Sequence, residues 1–250
     1  MIQLTIIRIE GYGQWTITLG SDRETQLQML QARIYHDVQR LFSERDSIVF
    51  FNRFDEYFAI TNGLSADDHR DIQHELTKLY DNMSMSMAIG TGKTAFEANL
   101  NAYRERKESS RMLDSDARIF GSGRHADVAQ IMHIDIDSSA KVGNWLSPFE
   151  VTVFVMKIYS RLAEEFLKYN SLAFFLGGDN VMVISNGMAK EQADKVIKNV
   201  TAGIDVKLNC GIGIGKTGRR AAEAATKALD IIRDLRKEGK IQTIYEIQCP

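Results

Sequence analysis

The chain has 250 residues, 44% of them hydrophobic, and a net charge of −2. That is ample for one large core or two small ones, and it lacks the basic excess expected of a protein that holds a nucleic-acid polymer. Two cysteines, Cys210 and Cys249, give no disulfide framework or Cys-based zinc site; with no apolar run near the ~20 residues of a membrane span and no basic leader, a cytoplasmic protein without a membrane partner is expected.

Residues 4–9 read as a buried strand ending at Glu10-Gly11-Tyr12-Gly13. Leu27, Leu30, Ile34, Val38 and Leu41 form a helical stripe within residues 24–42. Ile48 to Phe51, a turn at Asn52-Arg53-Phe54-Asp55, and Tyr57 to Thr61 make a hairpin stopped by Asn62-Gly63. A polar helix over 66–80 follows, on which His69 and His74 are expected to be solvated. A Met-rich strand, 83–89, then leads to Gly92-Lys93-Thr94 at the start of another helix.

The second half repeats this order. Residues 131–137 form a strand ending in Asp135-Ile136-Asp137, and residues 150–169 carry Val151, Val155, Ile158, Leu162 and Phe166 at helical spacing. Phe174 to Val183 reads as a hairpin around Gly177-Gly178-Asp179-Asn180, stopped by Asn186-Gly187. A helix near 189–202, a strand 206–214, Gly215-Lys216-Thr217 and a helix 219–238 complete it. Asp55 and Asp179 lie 124 residues apart, as do Gly63 and Gly187, while Lys93 and Lys216 lie 123 apart. A duplicated ferredoxin-like unit accounts for this and predicts an α+β fold with halves at 1–120 and 128–250. The boundary falls in the polar segment Ser115 to Asp127, around Gly121-Ser122-Gly123.

Gly-Lys-Thr suggests a phosphate-binding P-loop, but that loop needs a glycine five residues before its second one. Met87 and Cys210 stand there instead, which excludes it. Gly211, Gly213 and Gly215 alternate along a strand, the pattern of close strand-to-helix packing. The Gly-Gly-Asp-Asn segment could be no more than a good turn. A carboxylate at its tip beside two bare backbones also suits a metal-bound phosphate.

Asp135 and Asp137, two apart, share a strand face. Pairing of the first strand with the hairpin brings Asp179 opposite them, so three carboxylates are expected to converge on a cation. Oxygen ligands favour Mg²⁺ or Mn²⁺ over zinc; the alternative is that these are surface carboxylates at strand ends. His133, on the same face, reads either as a satisfied core imidazole or as a partner of the site. In the first half Glu10 and Asp55 are expected in the matching places, with Phe54 obstructing phosphate approach. Tyr12 and Trp15 either stack on a base or are edge aromatics.

Met132 to Asp137, Gly177 to Asn180 and Cys210 to Ile214 resemble the palms of GGDEF-type nucleotide cyclases. Three further features resemble archaeal GTP cyclohydrolase III across nearly the whole chain. They are Tyr12-Gly13 with Trp15-Thr16, Arg53-Phe54-Asp55, and Lys168-Tyr169-Asn170 leading to Phe174 through Asn180. Glu10 departs from the Asp expected in that family. The resemblance implies hydrolysis of GTP at C8 of guanine with the formyl group kept. The products would be 2-amino-5-formylamino-6-ribosylamino-4-pyrimidinone 5′-monophosphate and inorganic phosphate, an opening step of archaeal riboflavin and deazaflavin synthesis. It implies a two-ion Mg²⁺ site, activation by a monovalent cation such as K⁺, and a homo-oligomer, dimer or tetramer.

On the same resemblance Asp135, the Ile136 carbonyl and Asp179 hold metal, and Asp135, Asp137 and Asp179 are catalytic. Gly177, Gly178, Asn180, Lys141, Phe54, Asp55 and Tyr12 contact GTP, and Asp137 or Asp55 activates the water at C8. Two alternatives are a diguanylate-cyclase-like enzyme and a catalytically dead GTP sensor. Asn180 in place of Glu, and Lys168-Tyr169-Asn170-Ser171 in place of the inhibitory Arg-x-x-Asp, count against the first. Intact Asp135 and Asp179 count against the second.

Overall fold

A computed structural model describes residues 1–109, 118–123, 126–137 and 146–249. Two compact units emerge: Ile2–Gly92 with Glu97–Asp127, and Val128–Pro250 with Met1 and Lys93–Phe96.

The first unit runs β1 (Ile2–Glu10), α1 (Tyr12–Ile17), α2 (Arg23–Ser43), β2 (Ile48–Arg53), β3 (Glu56–Ile60), α3 (Ala66–Leu79), β4 (Ser84–Gly92), α4 (Ala95–Ser109) and β5 (Ile119–Phe120). Its sheet has the order β2-β3-β1-β4-β5. The second runs β6 (Ala129–Asp137), α5 (Pro148–Leu167), β7 (Leu172–Gly177), β8 (Asn180–Ile184), α6 (Lys190–Thr201), β9 (Lys207–Gly215), α7 (Gly218–Lys237) and β10 (Ile244–Gln248). Its sheet, β7-β8-β6-β9-β10, repeats the first. Each unit is ferredoxin-like, with a fifth strand added parallel to the fourth: β5 on β4, β10 on β9. The hydrophobic periodicity does not announce these two short strands, nor the six-residue α1.

Period-two alternation on β6 separates the site from the core. Met132, Ile134 and Ile136 point into a cluster with Val155, Ile158, Leu162 and Phe166 of α5 and Val196 of α6. Burying each of these large side chains contributes roughly 1.5–3 kcal/mol. His133, Asp135 and Asp137 take the other face. There α7 lies close against β9, because a Cβ on Gly211 or Gly213 would overlap the carbonyls of Ala225 and Ala221. The alternating glycines are therefore packing glycines, as their spacing predicts.

Ser147 caps α5 in a capping box with Glu150, and Pro148 opens its first turn. Ser65 and Asp68 do the same for α3. His69 is not solvated as expected but fully buried. Its Nε2 lies 2.8 Å from Thr5 Oγ1, and its Nδ1 2.6 Å from the Ser65 carbonyl oxygen. Ile72 and Leu76, three and seven residues on, are buried as well, so His69 belongs to the inward face of an amphipathic helix.

Candidate active site

The hairpin β7–β8 turns at Gly177 and Gly178, with φ of 108° and 61°. Such angles favour glycine, and among the described residues a Cβ at either position would meet nothing within 4 Å. Asn180 pairs with Asp135 across the β6–β8 ladder, and the Ile136 N–H donates to the Asp179 carbonyl at 3.0 Å. A residue's N–H and C=O leave an antiparallel strand toward the same edge, so the Ile136 carbonyl also faces the turn.

Arginines from α7 meet the strand-end carboxylates. Arg233 Nη2 lies 3.6 Å from Asp135 Oδ1 and Arg236 Nη1 2.6 Å from Asp137 Oδ2. Asn209 of β9 ties the pairs together, accepting from Arg236 at 2.8 Å and donating to Asp135 at 3.5 Å. The expected convergence of three carboxylates is corrected by this arrangement. Among the described residues no three Asp, Glu, His or Cys side chains are grouped to hold an ion. Asp137 is drawn to Arg236, while Asp179 Oδ1 accepts from Asn180 Nδ2 at 2.7 Å.

Asn180 is also bonded on its other side. Its Oδ1 lies 2.9 Å from His133 Nε2, and His133 Nδ1 lies 3.1 Å from Thr226 Oγ1 on α7. Burial, ahead of the Asn180 bond that opposes it, lowers the His133 pKa from its ordinary 6.5, so the ring is neutral at pH 7. Lys141 and the loop 138–144 lie outside the described residues.

In the first unit Tyr12, Phe54 and Asp55 gather at the corresponding strand end. Phe54 is half exposed and meets Phe51 edge-on at 5.0 Å. Tyr12 stacks obliquely on Trp15 and is hydrogen-bonded to Gln31. Asp55 Oδ1 is 3.4 Å from Arg53 Nε.

The Ile9 N–H donates to the Asp55 carbonyl at 2.9 Å, as Ile136 does to Asp179. The register therefore corrects the expected matching of the halves. Arg8, opposite Glu56, stands in the place of Asp135, opposite Asn180; Glu10, opposite Ser84, stands in that of Asp137, opposite Lys207. A guanidinium thus occupies the first half's counterpart of Asp135. Glu10 is bound to Arg106 at 2.8 Å and to Ser86 at 2.6 Å, so its replacement of Asp falls outside the position of Asp135.

The family model of GTP cyclohydrolase III matches residues 1–246. The chain belongs to the GTP cyclohydrolase III family. Family relatives include a GTP cyclohydrolase III of Methanosphaera stadtmanae, 37% identical over 93% of both chains. That of Methanocaldococcus jannaschii is 36% identical over 98% of this chain and 93% of its own, and that of Methanococcus maripaludis is 33% identical over the full length of both. A GGDEF domain from Pseudomonas aeruginosa covers 59% of this chain and 91% of its own, at 16% identity and a TM-score of 0.40. The GGEEF domain of a diguanylate cyclase from Vibrio cholerae covers 48% and 83%, at 13% and 0.36.

Within this GTP cyclohydrolase III chain, the donors that could hold a divalent ion are the carboxylates of Asp135 and Asp179 and the carbonyl of Ile136. The set is all oxygen, which fits Mg²⁺, and among the described residues nothing crowds the Gly-Gly turn beside it. Arg233, Arg236, Asn209 and Thr226 were missed in the sequence. The i, i+3 spacing of Arg233 and Arg236 at the end of a helix predicted over 219–238 was the available signal.

Proposed function

We propose that the chain hydrolyses GTP at C8 of the guanine ring, and that the second unit's strand end is where the triphosphate is held. The observation that carries this reading is the family match over residues 1–246; the oxygen donors of Asp135, Ile136 and Asp179 around the glycine turn support it. In the reaction, water places its oxygen on C8 and the C8–N9 bond breaks. The formyl group stays on N7, and N9 takes a proton. Further hydrolysis removes the two outer phosphates, leaving the formylamino-pyrimidine monophosphate.

Bound Mg²⁺ would polarise water and phosphoryl oxygens and offset developing charge. The chain's own part is positional. Gly177 and Gly178 admit phosphate oxygens to the backbone, and Asp135 and Asp179 fix the ions that neutralise them. Arg233 stands beside Asp135 and Arg236 beside Asp137, where their guanidinium groups can meet the triphosphate. K⁺ activation and a homo-oligomer belong to the same proposal.

The test is incubation of the purified protein with GTP and Mg²⁺, followed by mass analysis of the nucleotide and a phosphate assay. The expected result is the formylamino-pyrimidine monophosphate with released phosphate. A cyclic dinucleotide with pyrophosphate, or GTP bound and unchanged, would contradict it.

A further inference from the structure

We propose that His133 is a positioning residue, which through the side-chain amide of Asn180 holds the Asp179 carboxylate in the orientation a divalent cation requires. The proposal rests on the reading of Asp179 as a metal ligand.

The directions of the hydrogen bonds follow from donor inventory. An ionised carboxylate only accepts, so Asn180 presents Nδ2 to Asp179 Oδ1, at 2.7 Å. That turns Asn180 Oδ1, which also only accepts, toward His133 Nε2 at 2.9 Å. Nε2 therefore carries the proton. Nδ1 of the neutral ring then accepts from the Thr226 hydroxyl at 3.1 Å. Every bond from Thr226 through His133 and Asn180 donates toward Asp179. The opposite orientation of the amide would set Oδ1 against the carboxylate and is excluded by repulsion.

The Asn180 amide, two residues past Gly178, is fixed on its other side by His133. The series is confined to one half of the duplication. In the first unit, Ile6, opposite Phe58, takes the place of His133, opposite Met182, and Glu56 takes the place of Asn180. It is thus present beside Asp135 and absent where Arg8 replaces that carboxylate. A purely architectural histidine would have no reason to follow the carboxylate.

The test is Mn²⁺ titration of the nucleotide-free, full-length protein by electron paramagnetic resonance, with the thermal midpoint recorded alongside. His133→Leu is expected to raise the Mn²⁺ Kd about 10- to 100-fold, the usual effect of losing an outer partner of a ligand. His133→Gln can donate to Asn180 and accept from Thr226, and is expected to stay within about threefold of the parent. Asn180→Ala, at a partly exposed turn, should show the same loss as His133→Leu even where the leucine variant folds poorly. Parent-like Mn²⁺ binding by Asn180→Ala, or a glutamine variant as weak as the leucine one, would overturn the proposal. Asp179→Ala separates the two readings. If it too binds Mn²⁺ like the parent, the metal assignment fails; if it alone loses binding, only the role of His133 fails.

Discussion

The Ile136 N–H donates to the Asp179 carbonyl at 3.0 Å. This bond joins the end of β6, next to Asp135, to the tip of the β7–β8 turn at Asp179. The same bond in the first unit, from Ile9 to Asp55 at 2.9 Å, shows how duplication kept the scaffold while the side chains diverged.

Asp179→Ala should leave folding intact, since the turn lies outside the buried cluster, and should lower GTP turnover by more than about 100-fold, at least the cost of disturbing an outer partner of a metal ligand. Steady-state kinetics with circular dichroism of the variant checks both. Excess chelator should abolish the parent's turnover, and Mg²⁺ should restore it.

Arg233 competes with any cation for Asp135, from 3.6 Å away. Arg233→Met should therefore tighten Mn²⁺ binding to the nucleotide-free protein by about three- to tenfold, a modest gain because the pair is partly solvated. Its effect on stability should stay within about 1 kcal/mol. Mn²⁺ titration and denaturant unfolding measure the two; weaker Mn²⁺ binding would refute the competition.

Gly213→Ala should destabilise the second unit by about 3 kcal/mol, because the added Cβ strikes the backbone of Ala221 and Ala225 and neither strand nor helix can retreat cheaply. Gly203→Ala meets open space at a φ of 75° and should cost only about 1–2 kcal/mol. Denaturant midpoints of the two variants give the comparison.

Burial lowers the pKa of His69 below its ordinary 6.5, with the Ser65 and Asp68 contacts opposing. The unfolded chain therefore binds the proton more readily. Stability should be level above pH 6.5 and fall as pH drops from 6.5 toward the depressed folded value, by up to about 1.4 kcal/mol per pH unit per proton. His69→Gln should flatten part of that fall in melts between pH 5 and 8; His133 has the same sign and retains the rest.

The duplication and the glycine turn were legible because hairpins and stop signals are local. Asn62-Gly63 and Asn186-Gly187 keep their spacing from the turn carboxylates. The matching of Arg8 with Asp135 was not legible, because the first strands lie 127 residues apart and the hairpins 124, a shift absorbed in the intervening helix and loops. Arg233 and Asn209 reach Asp135 only through tertiary packing of α7 over β9. His69 shows the limit of composition: a polar helix still has an inward face.

The most direct measurement is turnover of GTP in ¹⁸O-labelled water by the parent and by Asp179→Ala, with mass analysis of the formyl group and the released phosphate. The account predicts one labelled oxygen in the parent's formyl group, label in its phosphate, and almost no product from the variant. An unlabelled formyl group, or a variant that forms the same product at the parent's rate, would contradict it.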